Sequence, residues 1–204
     1  MRHFVYFSRT AVTTGNFNSA ELMKAGRMDI ALHVIISSFF LSHSVREDVK
    51  LHLVFYGMPD PPKHIEITIE KEKGIPNQDG KERLDISKKD LASLIKKILY
   101  KYKPGQKTEV LPGCFVEKKS LLNVVEEMKK NGNEIFILDK RGEDIRDAKI
   151  PDDCVFILGD HKGLPSKELK RLKKIAVPVS IGNKMYFASQ VVAIVNNELD
   201  RRGI

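Results

Sequence analysis

The residues of this chain best suited to chemistry fall into two groups. Arg27 and Asp29 stand two apart in front of an apolar run, and two Gly-rich polar segments, Gly159-Asp160-His161-Lys162-Gly163 and Ser180-Ile181-Gly182-Asn183-Lys184, each follow a short apolar stretch. An arginine can grip a phosphate and a neighbouring aspartate can serve a reacting base. An aspartate at a helix start is equally a cap or a dipole partner, and on spacing alone that structural reading is preferred. Within the second group, adjacent loop residues point in different directions, so Asp160 and His161 make a poor acid/base pair. The flanking glycines instead let main-chain groups approach a ligand closely. The segments therefore read as a ligand site lined by backbone.

Several chemistries are disfavoured. The sequence has no GxxxxGK[ST] loop, GxGxxG fingerprint, HExxH or GxSxG elbow, which argues against nucleotide hydrolysis, nicotinamide chemistry, zinc proteolysis and serine hydrolysis. Cys114 and Cys154 belong to no CxxC pair, so they read as free thiols of a reducing cytoplasm and imply no metal. The formal charge of +8 over 204 residues favours a polyanionic partner such as RNA. The amino end lacks the features of a signal peptide, and Met28 to Leu41, the most apolar segment, is too short to cross about 30 Å of hydrocarbon. A cytoplasmic protein without a membrane partner is the expectation.

These residues need elements to position them. Arg2 to Ser8 reads as a first strand, Asn18-Ser19 as a possible helix cap, and Met28 to Leu41 as a buried helix. Leu51 to Tyr56 reads as a buried strand, and Lys63 to Glu70, which alternates polar and apolar residues, as a half-exposed edge strand. Lys71 to Arg83 is polar and turn-rich, a loop. Ser87 and Asp90 form a capping-box pattern before a lysine-faced helix, and Ser120 caps another that ends at Gly132. From Glu134 onward the pattern is strand, loop, strand, helix, strand, helix. With no repeat or linker visible, one domain over residues 1–204 of the alternating α/β class is expected.

The order FILGDHKGLP (from Phe156), PVSIGNK (from Pro178) and NNELDRR (from Asn196) resembles the SPOUT class of RNA methyltransferases. Gly26-Arg27-Met28-Asp29, the run from Ser37 to Arg46, Leu53 to Gly57 with Pro59 to Pro62, and Pro112-Gly113 with Lys118-Lys119-Ser120 narrow the resemblance. They are similar to the archaeal tRNA pseudouridine N1-methyltransferases, which act on position 54 of the T-loop, and the likeness runs from about Arg2 to Gly203. It implies an α/β fold with a mostly parallel sheet flanked by helices and a deep C-terminal trefoil knot. It further implies a homodimer, S-adenosylmethionine as methyl donor and tRNA as partner. Carried onto this chain, the cofactor residues are Leu138, Leu158, Gly159, Ser180, Ile181, Gly182, Asn183 and Val191. The resemblance favours catalytic roles for Asp29 and Arg27, with Arg27, Arg46, Lys118 and Lys119 contacting RNA. Many relatives have His-Cys where this chain has Gln190-Val191. The alternatives left open are a ribosomal pseudouridine substrate and a knotted RNA-binding factor without activity.

Overall fold

The computed structural model describes residues 1–69 and 87–204, with the backbone of two short paired strands, β4 (Ile75–Pro76) and β5 (Glu82–Arg83). Apart from those two strands, the loop read over Lys71 to Arg83 lies outside the described residues.

The first strand, β1 (Arg2–Ser8), is apolar on both faces because it runs through the middle of an eight-stranded sheet. It pairs in parallel with β2 (Val49–Phe55) on one side and β9 (Cys154–Gly159) on the other. Beyond β9 come β8 (Glu134–Asp144) and β10 (Val177–Ser180), also parallel. Beyond β2 the sheet turns antiparallel through β3 (Lys63–Thr68), β7 (Cys114–Glu117) and β6 (Thr108–Leu111). The sheet is thus mixed rather than mostly parallel: short connections from β2 to β3 and from β6 to β7 allow antiparallel pairing, whereas the carboxyl-terminal strands need crossovers.

Alternation along β1 sends Phe4 and Tyr6 into one core and Val5 and Phe7 into another. The first core is covered by α1 (Met28–Phe39), α2 (Lys88–Tyr100) and α5 (Ala188–Arg202), the second by α3 (Leu121–Lys130) and α4 (Ser166–Leu172). The capping box at Ser87 and Asp90 forms, and Ser120 Oγ accepts from the Asn123 N–H at the start of α3. Asn18 caps no helix; its side chain accepts from the Ala20 N–H within a series of turns.

The expectation for Lys63 to Glu70 needs correction. β3 is interior, flanked by β2 and β7. Its polar face is covered by partners rather than by water: His64 Nδ1 meets Glu117 Oε1 at 2.9 Å, and Glu66 is clamped by Lys107 at 2.9 Å and Lys50 at 3.5 Å. Alternating polarity reports two chemically different faces. Here the apolar face is fully buried, and the polar face is buried at His64 and half-buried at Glu66 and Thr68.

Candidate active site

The carboxyl-terminal strands build a cavity by a break in register. β10 faces Phe136 and Ile137 of β8 with Val177 and Pro178, but Val179 then faces Glu143. The intervening residues of β8 bulge outward and present Leu138, Asp139 and Lys140 to a cavity of about 380 Å³. Gly142 closes the bulge, since a Cβ there would stand 2.5 Å from the Pro178 carbonyl.

Leu138, Leu158, Gly159, Ser180, Ile181, Gly182 and Val191 line this cavity, while Asn183, which is exposed, lies outside the lining. Gly159 is needed for close packing, since a Cβ would meet the Gly163 backbone at 2.9 Å. Gly182 has φ of 124°, a region other residues rarely adopt. Its N–H donates to Ser180 Oγ at 3.1 Å, which fixes the turn after β10. Met185 and Tyr186, both exposed, edge the opening. Gln190 serves the helix, its side chain accepting from the Phe187 N–H at 3.0 Å, while Val191 supplies an apolar wall.

Asp160 organises the floor. Its carboxylate accepts from Ser8 Oγ at 3.1 Å, Arg9 N–H at 2.8 Å and Lys162 N–H at 2.8 Å. This ties the end of β1 to the loop after β9. In sequence, Asp160 beside His161 makes a poor acid/base pair. The structure makes it an anchor for the backbone that lines the cavity.

Arg27 and Asp29 occupy the start of α1. Gly26 and Arg27 are both left-handed, at φ of 68° and 64°, and Arg27 is the one non-glycine at positive φ among the described residues. Gly26 is required there, because a Cβ would overlap the Thr10 carbonyl oxygen at 1.7 Å, while Thr10 Oγ1 donates to the Gly26 carbonyl at 2.9 Å. The turn points Arg27 back at Asp29: Nε donates to Oδ1 and Nη2 to Oδ2, each at 3.0 Å. The Arg27 hydrogen bonds hold the Asp29 carboxyl below the usual range. Tyr6 feels the charge of both Asp160 and Asp29. Its buried hydroxyl has no partner among the described residues, and burial, Asp160 and Asp29 together raise its pKa. Nothing in the spacing of the sequence marks this phenol, because apolar alternation alone explains its place in β1.

The other basic candidates are engaged. Arg46 makes two contacts to Asp200, at 2.7 and 2.5 Å, and Arg2 joins the same carboxylate at 2.7 Å. Lys118 pairs with Asp60, and Lys119 bridges Glu117 at 3.1 Å and Glu127 at 2.5 Å. Lys118, which is exposed and makes one pair among the described residues, keeps donors free for a phosphate, whereas Arg46 and Lys119 are each committed to two contacts.

Comparison with known proteins places this geometry. A family model described as "Putative SAM-dependent RNA methyltransferase" matches residues 1–204. A tRNA (pseudouridine(54)-N(1))-methyltransferase from Methanococcoides burtonii is 36% identical over 98% of this chain and 96% of its own length. Its counterpart from Thermococcus kodakarensis is 35% identical over 98% and 99%, and that from Pyrococcus abyssi 35% over the full length of both. Among solved structures, Archaeoglobus fulgidus Nep1 bound to S-adenosylhomocysteine shares the fold, with a TM-score of 0.60 at 13% identity over 99% of each chain. The cavity, the backbone-lined loops and these full-length likenesses have one conclusion: the chain belongs to the tRNA (pseudouridine(54)-N(1))-methyltransferase family.

Proposed function

We propose that this protein methylates N1 of pseudouridine 54 in the T-loop of tRNA, with S-adenosylmethionine as donor, and that residues 1–204 act as one domain within a homodimer. The observation that carries the reading is the cavity of about 380 Å³ at the ends of β8, β9 and β10. It is large enough for a nucleoside-sized ligand, apolar where Leu138, Leu158, Ile181 and Val191 can pack on an adenine, and rich in backbone groups for its edge.

S-adenosylmethionine supplies an electrophilic methyl group on its sulfonium. The chain's own residues hold and orient. Gly159 and Gly182 keep main-chain groups close to the cavity, Asp160 fixes the loop that follows Gly159 to β1, and Val191 needs no thiol for a direct transfer to nitrogen. Pseudouridine is joined to its ribose through carbon, so N1 carries a proton that must leave as the methyl arrives. Asp29 is the proposed acceptor of that proton, and Arg27 the group that grips the phosphate of the flipped nucleotide. Orientation of the two reactants accounts for up to about 7–11 kcal/mol of such a barrier. Arg46, Lys118 and Lys119 are proposed secondary contacts to the RNA backbone.

A trefoil knot is part of the proposal. Two observations support it: α5 packs against α1 after the chain has left β10 at the sheet edge, and Arg202 donates to the carbonyls of Ala148 at 2.7 Å and Ile145 at 2.5 Å. The final helix is thus clasped by the loop between β8 and β9. None of the described helices is long and apolar enough to cross a membrane.

The test is methyl transfer from labelled S-adenosylmethionine to two matched T-loop RNAs, with uridine or pseudouridine at the target. Label in the pseudouridine RNA alone is expected. No label in either, with S-adenosylhomocysteine still bound, overturns the assignment.

A further inference from the structure

Three histidines converge on the sheet face opposite the α1–α5 layer, at the edge of the core beneath α3. His3 Nδ1 lies 3.2 Å from His52 Nε2, His52 Nδ1 lies 2.9 Å from His64 Nε2, and His64 Nδ1 lies 2.9 Å from Glu117 Oε1. The row crosses β1, β2, β3 and β7, so it is assembled by the sheet alone. The methyl-transfer site uses none of these residues. Beside them is a separate cavity of about 110 Å³, also bordered by Glu66, Lys107, Glu127 and Asn131.

We propose that His52, His64 and Glu66 form a site for one divalent transition-metal ion of the zinc class. Antiparallel register places His52 directly across from Glu66, and His64 is two residues from Glu66 on the same face. One donor atom from each of the three lies within 4.8 Å of the others. Two imidazoles and one carboxylate are an established donor set for zinc, leaving a fourth position for water. Tetrahedral coordination at about 2.0–2.1 Å places two nitrogens about 3.3 Å apart, so the His52–His64 contact of 2.9 Å opens by a few tenths of an ångström and the two rings, which face each other nearly in line, swing to aim at one ion.

The outer contacts fit as well. A metal-bound imidazole donates its other N–H to a carboxylate, and His64 already faces Glu117 in that way. His52 Nε2 can donate to His3 Nδ1 once the proton between His52 and His64 gives way to the metal. That proton moves from Nδ1 to Nε2 of His52, and the His3 proton moves outward to its own Nε2, so no proton need leave the protein. The lysines bordering the cavity already balance Glu66, Glu117 and Glu127, so a bound dication takes the Glu66 carboxylate from Lys50 and Lys107, and those two side chains turn outward to water. The cavity holds the volume for the fourth, water ligand.

The experiment uses the untagged full chain, stripped with a chelator and then freed of it. Zn²⁺ is titrated in competition with a chromophoric chelator, and Co²⁺ is added separately to read its ligand-field absorption. The expected result is one equivalent bound and visible Co²⁺ bands of tetrahedral intensity. His52→Gln should weaken binding at least tenfold, and Glu117→Gln by about ten- to a hundredfold, with S-adenosylhomocysteine binding unchanged in both. Absence of stoichiometric binding by the wild-type chain overturns the proposal without any variant. So does undiminished affinity in folded His52→Gln. Should His52→Gln fail to fold, Glu66→Gln is the substitute, and unchanged affinity there overturns it equally.

Discussion

Asp29→Asn distinguishes between two roles that the Arg27–Asp29 geometry permits. While Arg27 holds both carboxylate oxygens at 3.0 Å, Asp29 is kept acidic and is a feeble acceptor for an imide proton. A phosphate that draws Arg27 away returns the carboxylate toward its ordinary basicity. The substrate would thereby switch on its own base. A general base contributes about 10²- to 10⁴-fold, which is about 2.7–5.4 kcal/mol at 1.36 kcal/mol per decade. If Asp29 only anchors Arg27, the loss is that of a solvent-screened pair, at most about 1 kcal/mol or fivefold. The side chains are 36% and 22% exposed, so the lower figure applies to the anchor reading. The assay is single-turnover methyl transfer against pH for wild type, Asp29→Asn, Arg27→Ala and the double variant, with S-adenosylhomocysteine affinity measured alongside. Asp29→Asn should lose 10²-fold or more at unchanged cofactor affinity. At subsaturating RNA, where the profile reports the free enzyme, Arg27→Ala should move the acid limb to higher pH, because the guanidinium that lowers the carboxyl has gone, while at saturating RNA the limb should stay in place. The double variant should fall below Asp29→Asn at subsaturating RNA, by the loss of the Arg27 contact to phosphate. A loss of less than tenfold in Asp29→Asn refutes the base assignment.

Two further outcomes follow from the packing and the charges. Gly159→Ala drives a Cβ to 2.9 Å from the Gly163 backbone, so the loop must shift, and S-adenosylhomocysteine affinity should fall at least tenfold by calorimetry; wild-type affinity would mean that this loop does not hold the cofactor. Burial, with Lys50 and the amino terminus adding to it, lowers His3 from 6.5 to about 4 against the opposing Glu66 and Asp153. The unfolded chain therefore takes up the proton first: the contribution of His3 is complete above pH 6.5 and declines as pH falls toward 4, by up to about 3 kcal/mol. Urea unfolding in chelator across that window should show His3→Gln with a shallower pH dependence than wild type, and parallel curves would disprove it.

What the sequence disclosed and what it withheld divide along one physical line. Features set by neighbours in the chain were legible. Apolar periodicity marks β1 and α1, side chains three residues apart cap α2 at Ser87 and α3 at Ser120, and apolar runs entering glycine loops mark the cavity. The resemblance then supplied catalytic roles for Arg27 and Asp29, which spacing alone assigned to a helix start, while their ion pair became visible only in the structure. Features set by partners far along the chain were not legible. Alternation in β3 could not say that its polar face would meet His52, Glu117 and Lys107 instead of water. Arg46 has the composition of an RNA contact, yet its Asp200 partner lies 154 residues away.

The same line explains why a metal site escapes a motif search. Motifs such as HExxH are legible because one helix carries the ligands, so their spacing is fixed by a local period. In this protein β2 and β3 supply the donors and β7 supplies the outer carboxylate, and the spacing between them is set by loops of arbitrary length. Only register brings His52 opposite Glu66, and a one-residue slip would send His64 and Glu66 together to the opposite face of the sheet. Such a slip would also take Ile65 and Ile67, both fully buried, out of the apolar core and set them among charged groups, at a cost of up to about 1.5–3 kcal/mol each. The apolar face of β3 therefore fixes the position of its polar face. The His–Glu cluster is held in place by the hydrophobic core on the other side of the sheet, whether or not a metal is bound.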